Sequence, residues 1–198
     1  MAIDPQKIFS IRARLNRPIV LVGMMGAGKT RLGKMLSEVL GYSFADSDEE
    51  IERAAGLTIS EIFERYGETY FRDGERRVVK RLVEGGIQVI ATGGGAILNQ
   101  DTAQEIWNQT LSIWVKADIP TILERTSRND KRPLLKQGDP EEVLKRLSEA
   151  RYPIYQNAHL TIESRNAPGE EMLGEAIDKI FGFLSDVSTK AKAEPDVD

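Results

Sequence analysis

The sequence contains no cysteine and a single histidine, His159. Disulfides and thiolate metal sites are excluded, as is any cluster of histidine ligands. The lack of disulfides fits a reducing compartment. His159 itself reads as a partly buried strand residue. Long hydrophobic runs are also missing. The longest uncharged stretch, "GGIQVIATGGGAILNQ", is broken by glycines and falls short of the ~20 apolar residues that a membrane span needs. The N-terminal "MAIDPQKIFSIRARLNR" lacks the apolar core of a signal peptide. Nor is there an excess of positive charge. Lys and Arg number 27 against 31 Asp and Glu, a net charge of -4 that gives no global basic field for nucleic acid. The expectation is a cytoplasmic protein without membrane or nucleic-acid partners.

What is present is enough for one packed domain: 198 residues, 40% of them hydrophobic. Short apolar runs alternate with helical patterns. "PIVLVGM", "YSFADSD", "IQVIATGGG", "LSIWVKA" and "HLTIES" read as five strands. "KTRLGKMLSEVLG" reads as a helix, with Leu32, Met35, Leu36 and Leu40 on one face and Gly41 at its end. "TISEIFERYGETYF" opens with Thr58 and Glu61 in capping-box spacing. "DPEEVLKRLSEARYPIY" opens with Asp139 as cap and Pro140 in the first turn. Leu173, Ile177, Ile180, Phe181 and Leu184 mark a last helix. Such alternation implies an α/β fold, a parallel sheet with helices on both faces. Ligands of such sheets sit at the carboxyl ends of the strands. Residues 1–17 read as an N-terminal extension in which Ile8, Ile11 and Leu15 space out a short packed helix. Residues 18–184 form the single domain, with a polar lid at about 126–138, and residues 185–198 read as a disordered tail.

"GMMGAGKT", residues 23–30, matches the phosphate-loop pattern G-x-x-x-x-G-K-[ST], with a strand before it and a helix after it. Glycines let backbone N–H groups turn onto phosphate oxygens without an obstructing Cβ, and the following helix adds its positive end. Lys29 reaches the β- and γ-phosphates in this pattern, and the Thr30 hydroxyl ligates Mg²⁺. No guanine-reading N-K-x-D or D-x-x-G switch occurs, which disfavours a GTPase. A second site is indicated near the nucleotide. "ADSD" places Asp46 and Asp48 at the end of the second strand, where residues two apart face one way. One carboxylate can hold a metal's water shell while the other accepts a proton from an attacking hydroxyl. The plainer reading of "DSD" is an acidic turn capping the helix "DEEIERAAG". Arg72 and Arg151 each sit beside aromatic residues, and a surface ion pair is the ordinary role for either. Gly93, Gly94 and Gly95 end the third strand, where a ligand can approach the backbone closely.

Together, "GMMGAGKT", "FADSDEEIE", "IFERYGETYFRDGE", "TGGGA", "RPLL" and "RYPIY" make the chain resemble the shikimate kinases, from about Pro18 to about Phe183. The resemblance implies the nucleoside-monophosphate-kinase type of P-loop fold: five parallel strands, a substrate-binding helical segment and a mobile lid. It implies transfer of the γ-phosphate of ATP, with Mg²⁺, to the 3-hydroxyl of shikimate, on the pathway to chorismate and the aromatic amino acids. It implies nucleotide contacts at Gly26, Ala27, Gly28, Lys29, Thr30 and Arg31. Arg125 would stack on adenine, and Arg132 of "KRPLL" would reach the phosphates from the lid as a catalytic cation. Arg165 matches an adenine-side arginine, although the family's Arg-Asn-Pro is here "SRNAPG", with Ala167 inserted. Asp46 would orient the metal's water shell. Asp48 would bond substrate hydroxyls and serve as the candidate base. Arg72 and Arg151 would grip the shikimate carboxylate, and the Gly94 backbone would meet the substrate. Such a fold works as a monomer. Two rivals remain at this level: another small-metabolite kinase, such as a gluconate kinase, and a non-catalytic ATP-binding module.

Overall fold

A computed structural model describes residues 3–127, 139–165 and 167–193. Five parallel strands form one sheet: β1 (Ile19–Val22), β2 (Ser43–Asp46), β3 (Gln88–Ala91), β4 (Leu111–Lys116) and β5 (Leu160–Glu163). Their spatial order is β2-β3-β1-β4-β5. Central strand β1 pairs Leu21 with Ala91 on one side and with Ile113 on the other. All four β1 residues are fully buried, as befits a parallel strand covered on both faces.

The helices are α1 (Pro5–Arg14), α2 (Lys29–Leu40), α3 (Ser47–Ala55), α4 (Ile59–Glu84), α5 (Gln100–Gln109), α6 (Ile119–Thr126), α7 (Pro140–Tyr155) and α8 (Gly169–Ala193). On α2 the 3.6-residue period buries Leu32, Leu36 and Leu40 completely, each worth about 1.5–3 kcal/mol relative to exposure. Gly41 ends that helix in the left-handed conformation. Thr58 and Glu61 form the full capping box at the start of α4. Asp139 caps α7, with Pro140 in its first turn.

Several features depart from the sequence reading. The N-terminal extension is part of the domain. α1 lies along α8, Ile11 and Leu15 enter the common core, and Lys7 Nζ donates to Asp178 Oδ1 at 2.6 Å. The reading also ends the folded domain at residue 184, whereas α8 continues to Ala193. Ala and Lys are strong helix formers, and they carry the polar stretch on without an apolar period. α4 runs 26 residues rather than stopping near Phe71, because the chain breaks its helical path at Gly67 (φ 79°, ψ 177°) and then resumes. Two further helices, α5 and α6, are short, and their starts are fixed by the caps Asn99 and Asp118. Of the expected lid, only Thr126, which ends α6, and Ser127 lie within the described residues.

Candidate active site

The phosphate loop joins β1 to α2. Its glycines carry the backbone through left-handed conformations, with φ 74° at Gly26 and 98° at Gly28. A side chain at either position would be strained. Gly28 caps α2, so the unpaired N–H groups of its first turn face the loop. Lys29, the first residue of α2, is 92% buried although lysine normally seeks water, and its ammonium donates to Gly23 O at 2.8 Å and Met24 O at 2.9 Å. The cation is thereby held across the loop it is expected to serve.

Next to it, Thr30 Oγ1 donates to Asp46 Oδ2 at 2.8 Å. The other Asp46 oxygen accepts from Asp48 N at 3.0 Å. This corrects the strand picture of the two aspartates. β2 ends at Asp46, which is the N-cap of α3, and Asp48 lies in the first helical turn. The i, i+2 alternation of a strand does not apply. An N-cap interaction holds both side chains near the sheet's carboxyl end instead. Thr30 and Asp46 offer a hydroxyl and a carboxylate oxygen side by side, a donor set that suits a small hard cation completed by phosphate and water. Among the described residues, no group of three His, Asp or Glu side chains could hold a metal unaided.

Of the three glycines after β3, Gly93 faces Asp48, Gly94 faces Arg151 and the phosphate loop, and Gly95 faces Arg72. A Cβ at Gly93 would stand 2.6 Å from Asp48 Oδ1 and 2.9 Å from Glu75 Oε1. A Cβ at Gly95 would stand 2.5 Å from Arg72 Nη1. A side chain at either glycine would therefore displace the ends of Asp48, Glu75 or Arg72 from their places. Gly93 N donates to the buried Ser47 Oγ at 2.9 Å, tying the glycine strip to α3.

Arg72 and Arg151 come from separate helices, α4 and α7, and converge on the strip. Arg151 is 4% exposed and its Nη1 donates to Gly94 O at 3.2 Å. Arg72 Nη1 donates to Glu75 Oε2 at 2.7 Å and its Nε and Nη2 reach Glu68 Oε1. Glu75 is only 3% exposed. Burial pushes its carboxyl up, while the Arg72 and Arg151 cations oppose that rise. For Arg72, burial lowers the value, but the two glutamates outweigh it and the net shift is upward. The pocket thus presents two fixed guanidinium forks over a buried carboxylate, a suitable receptor for a small carboxylic acid.

On the opposite side of Gly28 lies a cavity of about 400 Å³ lined in part by Gly28, Arg31, Arg125, Ser164, Arg165 and Met172. Arg125 Nη1 donates to Ser164 Oγ at 2.9 Å and Nη2 to Arg165 O at 2.8 Å. A planar cation fixed at the edge of a cavity beside the phosphate loop can stack on a base. Two clusters therefore emerge. Lys29, Thr30, Asp46, Asp48, Arg72, Gly94 and Arg151 gather at the ends of β1, β2 and β3. Arg31, Arg125 and Arg165 gather at the cavity. Gly26 and Ala27 lie between them in the loop, and Arg125 Nη1 donates to their carbonyls at 3.3 and 3.4 Å. Arg132 lies outside the described residues.

Sequence reasoning missed Glu75, Ser47 and Ser164. Glu75 had a signal: it stands three residues after Arg72, one turn on along the same helix. Ser47 and Ser164 carried none, because their partners are distant in sequence.

The family model for shikimate kinase matches residues 25–181 of the chain. A curated shikimate kinase from Rhodopseudomonas palustris is 46% identical over 181 residues, covering 91% of this chain and 89% of that one. A solved shikimate kinase from Acinetobacter baumannii in complex with shikimate superposes with a TM-score of 0.79 at 36% identity, over 93% of this chain and 99% of that one. A gluconokinase from Sinorhizobium meliloti shares the fold at a TM-score of 0.56 and 14% identity, over 89% of this chain and 98% of that one.

Proposed function

We propose a residue-level reading from one premise: this chain belongs to the shikimate kinase family, and it phosphorylates shikimate at the expense of ATP on the route to the aromatic amino acids. The phosphoryl group goes to the 3-hydroxyl. The observation that carries the reading is the meeting of Arg72, Arg151, Gly94 and Asp48 beside the phosphate loop.

In this reading the two guanidinium groups take the substrate's carboxylate, and that contact sets the ring's position. Asp48, facing the glycine strip, bonds ring hydroxyls and accepts the proton of the attacking one. Lys29 turns from the loop carbonyls to the β- and γ-phosphates as the nucleotide arrives. Gly26 to Arg31 surround the phosphates, while Arg125, with Arg165 behind it, holds the adenine in the 400 Å³ cavity. Thr30 and Asp46 are the groups that would hold Mg²⁺, Thr30 directly and Asp46 through its water shell. Bound with the nucleotide, Mg²⁺ neutralises phosphate charge. Phosphoryl transfer asks mainly for alignment and charge stabilisation, and fixed cations supply both. Arg132 is the proposed further cation, contributed by the residue 126–138 segment. All these contacts come from one chain of a single domain, so the reading needs no partner subunit. A cytoplasmic location fits an enzyme that draws on cellular ATP.

The test is ADP release from the purified protein with ATP, Mg²⁺ and a panel of hydroxy acids that includes shikimate and gluconate. Release specific to shikimate is expected. Lys29→Ala is expected to abolish it while the protein still melts cooperatively. Preference for gluconate, or full activity in Lys29→Ala, contradicts the assignment.

A further inference from the structure

Gly94 O accepts two hydrogen bonds. One comes from Arg151 Nη1 at 3.2 Å and the other from the Tyr155 hydroxyl at 2.6 Å. Both donors project from α7, one turn apart. Tyr155 is 1% exposed, its ring packed 5.9 Å from that of Trp114 and 6.4 Å from that of Tyr152. That packing leaves the hydroxyl little freedom to point elsewhere. Burial pushes its phenol well up, so it remains a donor at working pH.

The two donors differ in what else they must do. Arg151 has a second task under the reading above, on which this inference rests: it grips the substrate's carboxylate. Only one of its N–H donors lies on Gly94 O, but the guanidinium is rigid, so turning its parallel donors onto a carboxylate carries Nη1 away from that carbonyl. Releasing Gly94 O would leave an acceptor unpaired just as the arriving substrate excludes water from it. The Tyr155 hydroxyl also neighbours the Arg151 guanidinium, from which it can only accept, while its one proton goes to Gly94 O. We propose that Tyr155 is a positioning residue. It keeps Gly94 O paired and the Gly94 peptide in place while Arg151 turns to the substrate.

Tyr155→Phe keeps the ring and its packing and removes only the hydroxyl. Arg151 still pairs Gly94 O in the free enzyme, so the melting temperature without shikimate should move little. With shikimate the carbonyl loses its remaining donor. The Michaelis constant for shikimate should rise about three- to tenfold, as for loss of one neutral hydrogen bond, and the thermal upshift given by saturating shikimate should shrink. The ATP constant should stay within about twofold, and turnover should change less than the shikimate constant. Arg151→Lys, measured alongside, separates the two levels of the argument. If Arg151→Lys weakens shikimate and Tyr155→Phe does not, the proposal fails and the site reading stands. If Arg151→Lys leaves shikimate unaffected, the site reading fails and takes the proposal with it. Equal losses of melting temperature with and without shikimate, at an unchanged Michaelis constant, assign Tyr155 to the scaffold alone. A Tyr155→Phe protein that does not fold also overturns the proposal, because Arg151 should suffice in the free state.

Discussion

The Thr30 hydroxyl donates to the Asp46 carboxylate at 2.8 Å, linking the first turn of α2 to the end of β2. The bond places two oxygens where a cation beside the phosphates can use them. Thr30→Val and Asp46→Asn are each expected to raise the Mg²⁺ concentration for half-maximal rate, about 10- to 100-fold. Titrating Mg²⁺ at fixed ATP and shikimate measures this. An unchanged Mg²⁺ requirement in both variants would remove the pair from the metal site.

Asp48 stands against the glycine strip, within reach of a hydroxyl lying over Gly93. Asp48→Asn keeps the shape and removes the basic oxygen. Turnover is expected to fall about 10²–10⁴-fold, with the ATP constant nearly unchanged. A loss of less than tenfold would mean that Asp48 orients the acceptor without taking its proton, as a dissociative transition state permits. Steady-state kinetics with either substrate varied decides between these roles.

Arg72 is held by a carboxylate that burial makes costly to ionise. Its fork geometry matters more than its charge, since lysine offers only a point charge. Arg72→Lys is expected to weaken shikimate binding by about 1.5–3 kcal/mol, or one to two decades. Glu75→Gln removes the counter-charge that fixes the fork and should weaken shikimate in the same direction, by less. Isothermal titration with shikimate measures both. A rise in the ATP constant with shikimate binding intact would move Arg72 to the nucleotide site.

His159 lies far from this chemistry. It is half-buried just before β5, with Nδ1 2.6 Å from Ser112 Oγ and its ring edge-on to Phe183. Burial lowers its pKa, and Arg17 lowers it further. The native state therefore favours the neutral ring, while the unfolded chain binds a proton near pH 6.5. The stabilisation from a neutral His159 is complete above that pH and is lost as pH falls from about 6.5 through the lower native value. Melting temperatures at pH 7.5 and 5.5 should differ more in the parent protein than in His159→Gln. As the only histidine, its titration is also directly visible by NMR. A native pKa at or above 6.5 contradicts the argument.

The sequence alone determined the features that depend on neighbours along the chain. The phosphate loop is such a feature: glycine spacing, a following helix and Lys29 lie within eight residues, and local backbone geometry does the rest. The Thr58–Glu61 box and the Gly41 stop are local for the same reason. The apolar runs fixed five strands and, through their alternation with helices, a parallel sheet. Tertiary structure decided what depends on contacts between distant residues. Strand order set which ends lie together, bringing Asp46 of β2 beside Thr30 of α2, sixteen residues apart. Packing of the helical segment after Gly67 buried Glu75, so that its carboxylate meets Arg72 out of water. The spacing of Ile8, Ile11 and Leu15 indicated a packed N-terminal helix, but only the tertiary structure decided that its partner is α8. Tyr155 shows the limit most plainly. Its hydroxyl meets Gly94 O across 61 residues of sequence. Nothing local distinguishes it from Tyr152, whose hydroxyl donates instead to Ala117 O. A buried donor takes whichever acceptor the fold delivers, and only the packed sheet and helices determine which one that is.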